Sequence, residues 1–283
     1  MPAADPQPSH WVKSVQEGQG RIRLARDPAP WLACHMLALF IHGVPDTPAM
    51  WRPLIEALDL ADGEAVAPAL PGFGCALPPG FRPTKDTYAA WLIAEAEQAV
   101  ARHGGPVHLV GHDWGALLSL RAASLRPDLF ASWAVSDAVI DPAYRGHRMA
   151  KLWATPIVGE VVMWLARKPA LAKALADQGL PEELARHEAD AFDATMRSSI
   201  LTLYRSAVGL RFSGPWVEDL ARLPANGLVI WGETDPYVPL ETAQRFCTKR
   251  AVPLHVEQDA GHWALVERPQ EVAARLRRHW NAA

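Results

Sequence analysis

The stretch GPVHLVGHDWGALLSLRAASLRP, residues 105–127, decides the fold. Val107 to Val110 is a short apolar run of strand type, and the residues behind Ala116 carry helical spacing up to Pro127. Between them the chain must turn within a few residues, and the turn reads G-x-D-x-G: Gly111, Asp113 and Gly115. Residues without side chains two places before and two places after let a strained central residue project above the end of a strand. A strand, a tight turn and a returning helix form the half-unit of a parallel sheet.

The same rhythm extends in both directions. Residues 10–16 and 20–27 are consistent with an antiparallel pair, and MLALFIHG (36–43) is a continuous apolar run, as a strand buried on both faces requires. Helical spacing follows from Pro48 to Leu60, then a strand over 64–74, then a helix that Thr84 can cap. Downstream, 132–140, 226–233 and 253–261 read as strands, with helices at 240–247 and at the end through Val272, Leu276 and Trp280. Alternation of this kind predicts an α/β fold with a mainly parallel, doubly wound sheet of about eight strands. From Asp141 to Pro215 only helical patterns occur. The expected division is therefore a core of residues 1–140 and 214–283, interrupted by a helical cap at 141–213.

Composition narrows the classes. Of 283 residues, 49% are hydrophobic and 21% charged, ample for a packed core. A formal charge of −3 without long basic runs argues against nucleic acid as a partner. No uncharged stretch approaches the ~18 apolar residues of a membrane span, and the N-terminal MPAADPQPSHW lacks the features of a signal peptide. Cys34, Cys75 and Cys247 are odd in number and widely spaced, which suits a reducing compartment. A cytoplasmic protein is expected. No spacing suits a metal, and neither GxGxxG nor a Walker loop is present, so no metal and no cofactor is expected.

Taken with HGVPDTPAMW (42–51), WGETDPYVP (231–239) and DAGHW (259–263), the turn resembles the α/β-hydrolase superfamily over residues 10–282. An aspartate at the turn is similar to the epoxide hydrolase and haloalkane dehalogenase branch. The chemistry agrees, because a carboxylate is already ionised at neutral pH (reference pKa ~3.9), whereas a serine must first lose a proton. Attack on an ester carbonyl would give a reactive anhydride, but attack on a saturated carbon gives an ordinary ester. The resemblance implies Asp113 as nucleophile, His262 as base toward water and Asp235 as the acid that orients it. Backbone N–H groups of Val44 and Trp114 would form the oxyanion hole. His42 and His112 would shape that hole from the backbone side, with His42 bordering the substrate. Taken singly, Asp113 could be a turn residue, His262 a loop histidine and Asp235 an Asx turn. Their joint placement at strand ends, in the order this fold uses, argues otherwise.

The leaving group separates two readings. An epoxide oxygen needs an acid; Tyr204 continues the ladder Phe192, Met196, Ile200 and stands in a Tyr-Arg pair resembling the epoxide-polarising tyrosine. It could equally be a packing tyrosine. Met149 stands where a second tyrosine is expected, and Tyr144 is a possible substitute. A halide needs N–H donors instead. Trp114 matches one, Trp153 or Trp164 offers a second, and Val44 has no side-chain donor where one dehalogenase subgroup has Asn. The fluoroacetate-type variant fits poorly, because Gly115 to Leu118 are apolar and Met149–Ala150 occupies its His–Trp pair. The expectation is an epoxide hydrolase whose substrate contacts include His42, Tyr144, Met149 and Trp153. Apolar Trp153, Ile157, Val161, Trp164 and Leu203 in the cap would suit a small apolar substrate, with water as co-substrate. Haloalkane dehalogenase is the alternative, and a non-catalytic ligand binder a third reading. Exposed cap tryptophans would equally allow a homodimer.

Overall fold

The computed structural model describes residues 21–22 and 36–282. The strand expected at 10–16, most of the one at 20–27, and Cys34 lie outside these residues. Among the described residues seven strands form one sheet in the order β1-β3-β2-β4-β5-β6-β7. They are β1 (Arg21–Ile22), β2 (Ala38–Ile41), β3 (Ala65–Pro68), β4 (Val107–His112), β5 (Phe130–Ser136), β6 (Gly227–Gly232) and β7 (Leu254–Glu257). Only β1 runs antiparallel, against β3; every other pairing is parallel.

The continuous apolar runs are explained by two cores. In β2, Leu39 and Ile41 enter one cluster while Ala38 and Phe40 enter another. In β6, Val229 and Trp231 go one way, Leu228 and Ile230 the other. Side chains alternate across a strand, so a sheet covered on both faces needs apolar residues at every position. The first cluster is covered by α2 (Lys85–His103), α3 (Trp114–Leu125) and α10 (Leu240–Arg250). The second is covered by α1 (Arg52–Leu58), α11 (Ala264–Glu267) and α12 (Pro269–Trp280). Thr84 caps α2, its hydroxyl accepting the Thr87 N–H as the sequence suggested.

Between β5 and β6 come α4 (Arg148–Ala154), α5 (Val158–Leu165), α6 (Lys168–Ala176), α7 (Glu182–Ala191), α8 (Ala194–Ser206) and the short α9 (Pro215–Glu218). The continuous helical pattern over 181–208 is divided between two helices, α7 and α8. Asp193 stands in extended conformation and accepts the Met196 N–H, which starts α8 afresh. Inward expectations for this block are partly overturned. Leu203 is buried, but Ile157 (77% exposed), Val161 and Trp164 (68%) face away from the molecule. The buried side of α5 is made by Gly159 and Met163 instead.

Parallel pairing brings the ends of β2, β4, β5, β6 and β7 to one edge, where the next residues gather. At the β4–α3 turn the two glycines are required by space. A Cβ at Gly115 would overlap the Ile41 carbonyl oxygen, and one at Gly111 would press on the Gly115 carbonyl and Ser119. Gly115→Ala is therefore expected to destabilise the protein by about 1–3 kcal/mol through overpacking. Urea unfolding would register this as a lower midpoint at unchanged slope; an unchanged midpoint would contradict the close approach.

Candidate active site

Asp113 follows β4 directly and occupies φ 49°, ψ −121°, a conformation that side chains rarely adopt. It is anchored on both sides. Its N–H donates to the Ser136 carbonyl on β5 (3.0 Å), and its own carbonyl accepts the Ala116 and Leu117 N–H groups that begin α3. The side chain is thereby lifted over the sheet edge. Its Oδ1 accepts the Val44 N–H at 3.0 Å, and its Oδ2 lies 3.7 Å from His262 Nε2.

His262, after β7, is fixed through its other nitrogen. Nδ1 meets Asp235 Oδ2 at 2.9 Å, while Asp235 Oδ1 accepts the Tyr237 and Val238 N–H groups. The Asx turn and the orienting acid are thus the same residue at once. Burial disfavours a charged imidazole, yet the Asp235 and Asp113 carboxylates outweigh it and hold His262 well above its ordinary 6.5. Burial likewise opposes the Asp113 anion. The His262 and His112 rings and the Trp114 backbone N–H overcome that and keep its pKa low.

Three buried carboxyl groups that the sequence analysis does not single out stand behind the site. Asp46, in the loop after β2, accepts the Trp263 indole N–H at 3.1 Å and lies 3.5 Å from His112 Nδ1. His112 in turn donates from Nε2 to the His262 carbonyl oxygen (2.8 Å). Asp137, just past β5, accepts the Gly232 N–H (2.8 Å); burial and the neighbouring Asp235 charge push it up to about 7. Glu188 of α7 accepts the Thr47 hydroxyl, and burial followed by the Asp46 charge keeps its pKa well raised. Asp137 shares one sequence signal with Asp113 and Asp235, a polar residue at a buried strand's C-terminal end.

The inserted helices supply an aromatic wall. The Tyr204 ring lies 5.3 Å from Trp114 and 4.9 Å from Trp153, both edge-on. Burial and the Asp113 charge hold the Tyr204 hydroxyl protonated far above its usual range. The Trp114 indole N–H is buried and acts on the Tyr204 hydroxyl, opposing part of that rise. His147, which no local sequence pattern marks, stands 5.1 Å from Tyr237 and 6.2 Å from Tyr204. Its Nδ1 accepts the Ala150 N–H as the cap of α4, so its proton resides on Nε2. Burial lowers its pKa to about 4, leaving it a neutral donor.

Other expectations need correction. His42 cannot face a ligand with a free nitrogen, because Nδ1 meets the Gly43 carbonyl and Nε2 accepts the Leu70 N–H. It braces the loop that presents Val44. The Tyr144 hydroxyl is committed to the Tyr237 carbonyl at 2.8 Å. Met149 is half-buried in the first turn of α4, and the described contacts bring Trp153, not Met149, to this wall. Trp164 points outward and is no donor here.

Against known proteins, the model of the alpha/beta hydrolase family matches residues 38–275. Epoxide hydrolase 3 of Xenopus tropicalis is 26% identical over 262 residues, 83% of this chain and 69% of that protein. A haloalkane dehalogenase of Psychrobacter cryohalolentis is 31% identical over 104 residues, 36% of this chain and 33% of that one. Among solved structures, a 2-hydroxy-6-oxo-6-phenylhexa-2,4-dienoate hydrolase of Rhodococcus sp. strain RHA1 superposes with a TM-score of 0.70 at 23% identity. It covers 87% of this chain and 91% of that one, a likeness of fold.

The electrostatics fix the sign of two changes. Asp113→Asn and Asp235→Asn each remove an anion facing His262, so each is expected to lower its pKa, read by NMR titration of the imidazole. The His262 value is raised on folding. The stability it contributes is therefore complete below pH 6.5 and fades as pH climbs through the folded value. Asp235→Asn should accordingly cost most stability on the acid side of 6.5 and little at high pH. A pKa unmoved in both variants would overturn the assignment.

Proposed function

The chain belongs to the alpha/beta hydrolase family, and from that premise we propose that it opens a small apolar epoxide to a vicinal diol through a covalent ester on Asp113. The reading rests on one observation: an ionised carboxylate at a strained turn, with one oxygen bonded to Val44 N–H and the other 3.7 Å from His262 Nε2. The second oxygen, Oδ2, is the nucleophile. Residues 141–213 act as the cap over it, and the relative from Xenopus tropicalis named an epoxide hydrolase supports the substrate class.

In the first step Oδ2 attacks the less hindered epoxide carbon and the C–O bond breaks. The departing oxygen takes the Tyr204 proton, leaving a phenolate. The timing follows from charge. While Asp113 is anionic it holds the Tyr204 proton tightly, and esterification removes that anion as the alkoxide forms. Trp114 Nε1–H and His147 Nε2–H, on rings packed edge-on against Tyr204, would stabilise the negative charge. Esterification also removes the Asp113 anion facing His262, whose extra proton passes to solvent; in the second step the neutral ring takes a proton from water while the hydroxide adds to the Asp113 carboxyl carbon. Val44 and Trp114 N–H groups hold the oxyanion. Collapse expels the diol oxygen, which receives the proton from His262, and the phenolate recovers the proton left on Asp113.

A second reading has its own observation. The buried Trp114 indole N–H, one residue after the nucleophile, is suited to a departing halide, which needs no acid. Incubation with styrene oxide and, separately, 1-bromobutane separates the two. Diol without bromide is expected, and bromide without diol would reverse the order. His262→Gln should stall at the ester, visible by intact mass as protein plus substrate. Tyr204→Phe should lower kcat/KM for the epoxide by about 10²- to 10⁴-fold. Product formed in heavy-oxygen water over many turnovers with no label in Asp113 would exclude the covalent route.

A further inference from the structure

Helix α5 is apolar on both sides, and the fold uses one of them. Gly159 and Met163 face inward, with Gly159 drawn so close to the Trp153 carbonyl and Leu201 that no side chain would fit. On the opposite side Ile157, Val158, Val161, Trp164 and Leu165 recur at helical spacing and form an unbroken outward stripe, 40–77% exposed. Most of the large apolar side chains exposed among the described residues fall within these nine positions, so the stripe is a patch and not ordinary scatter.

Its surroundings say what covers it. Arg148 and Lys151 precede the helix and Arg167 and Lys168 follow it, all exposed. Across 142–176 the only carboxylate is Glu160, and Arg205 neutralises it at 2.7 Å. A chain with an overall formal charge of −3 thus carries a locally cationic rim around an outward-facing apolar stripe, in which Lys168 also donates to the Asp190 carbonyl oxygen of α7. A second copy of the chain fits poorly, because a two-fold contact through α5 would set that rim against itself. A protruding Trp and aliphatic stripe bracketed by cations is the arrangement that lies in the headgroup boundary of a bilayer. No helix among the described residues is long and apolar enough to cross a membrane, so the contact is with its surface.

We propose that the α4–α6 face docks this protein on anionic lipid membranes, with the α5 stripe seated among the acyl chains and the flanking cations on lipid phosphates. The test is co-sedimentation of the full chain with phosphatidylcholine vesicles, with and without about one-third phosphatidylglycerol. Binding at least about tenfold stronger to the anionic vesicles, weakening with added salt, is expected. Trp164→Glu and, separately, Arg167→Glu with Lys168→Glu should each lower it about tenfold or more. Should Trp164→Glu unfold, the charge-reversed pair, altered only at exposed positions, decides alone. Wild-type protein left in solution with both vesicles, or variants that bind as well as wild type, would overturn the proposal. So would a concentration-dependent dimer in sedimentation equilibrium that Trp164→Glu abolishes, since a second copy would then occupy the stripe.

Discussion

Asp113 holds a backbone conformation that costs a residue with a side chain about 1–3 kcal/mol, and the surrounding structure is arranged so that it can hold no other. Its N–H is spent on β5 and its carbonyl on the first turn of α3, while Gly115 lets α3 approach β2 closely enough to clamp the turn. Everything catalytic in the proposal refers to the direction in which that side chain is thrown. Were the turn to relax into an ordinary helical start, the carboxylate would swing away from Val44 and His262 together.

Around this anion the charges alternate. Asp235, His262 and Asp113 form one row; Asp46, His112 and Asp137 form a second row behind it, joined to the first where His112 grips the His262 carbonyl. Burying so many carboxylates is costly unless imidazolium and N–H groups answer them. The pKa directions divide accordingly. Asp113 stays low because rings and an N–H face it, whereas Asp137 and Glu188 rise because burial and a like charge dominate.

Legibility followed the range of the interaction. The β4–turn–α3 unit, the capped α2 and the strand ends that carry Asp113, Asp235 and His262 are local patterns, and the sequence carried them. Asp46, Glu188 and His147 matter through partners far away along the chain, and nothing adjacent marks them. The α7–α8 break hinged on Asp193 as a cap, a local cue that the apolar ladder from Phe192 to Tyr204 obscured. Helix α5 failed for another reason: apart from Glu160, VGEVVMWL is apolar at every position, so large apolar residues fall on both of its sides. Only the packing of Gly159 against Leu201 decides which side turns inward.

Asp235 is held at both oxygens, one by two successive backbone amides and the other by the imidazole. The ring it orients, whose backbone carbonyl His112 grips, therefore has a single rotational setting available. Aiming a histidine costs rotamer entropy in any protein; here that loss is incurred when the chain folds and is not repeated at each encounter with a reactant.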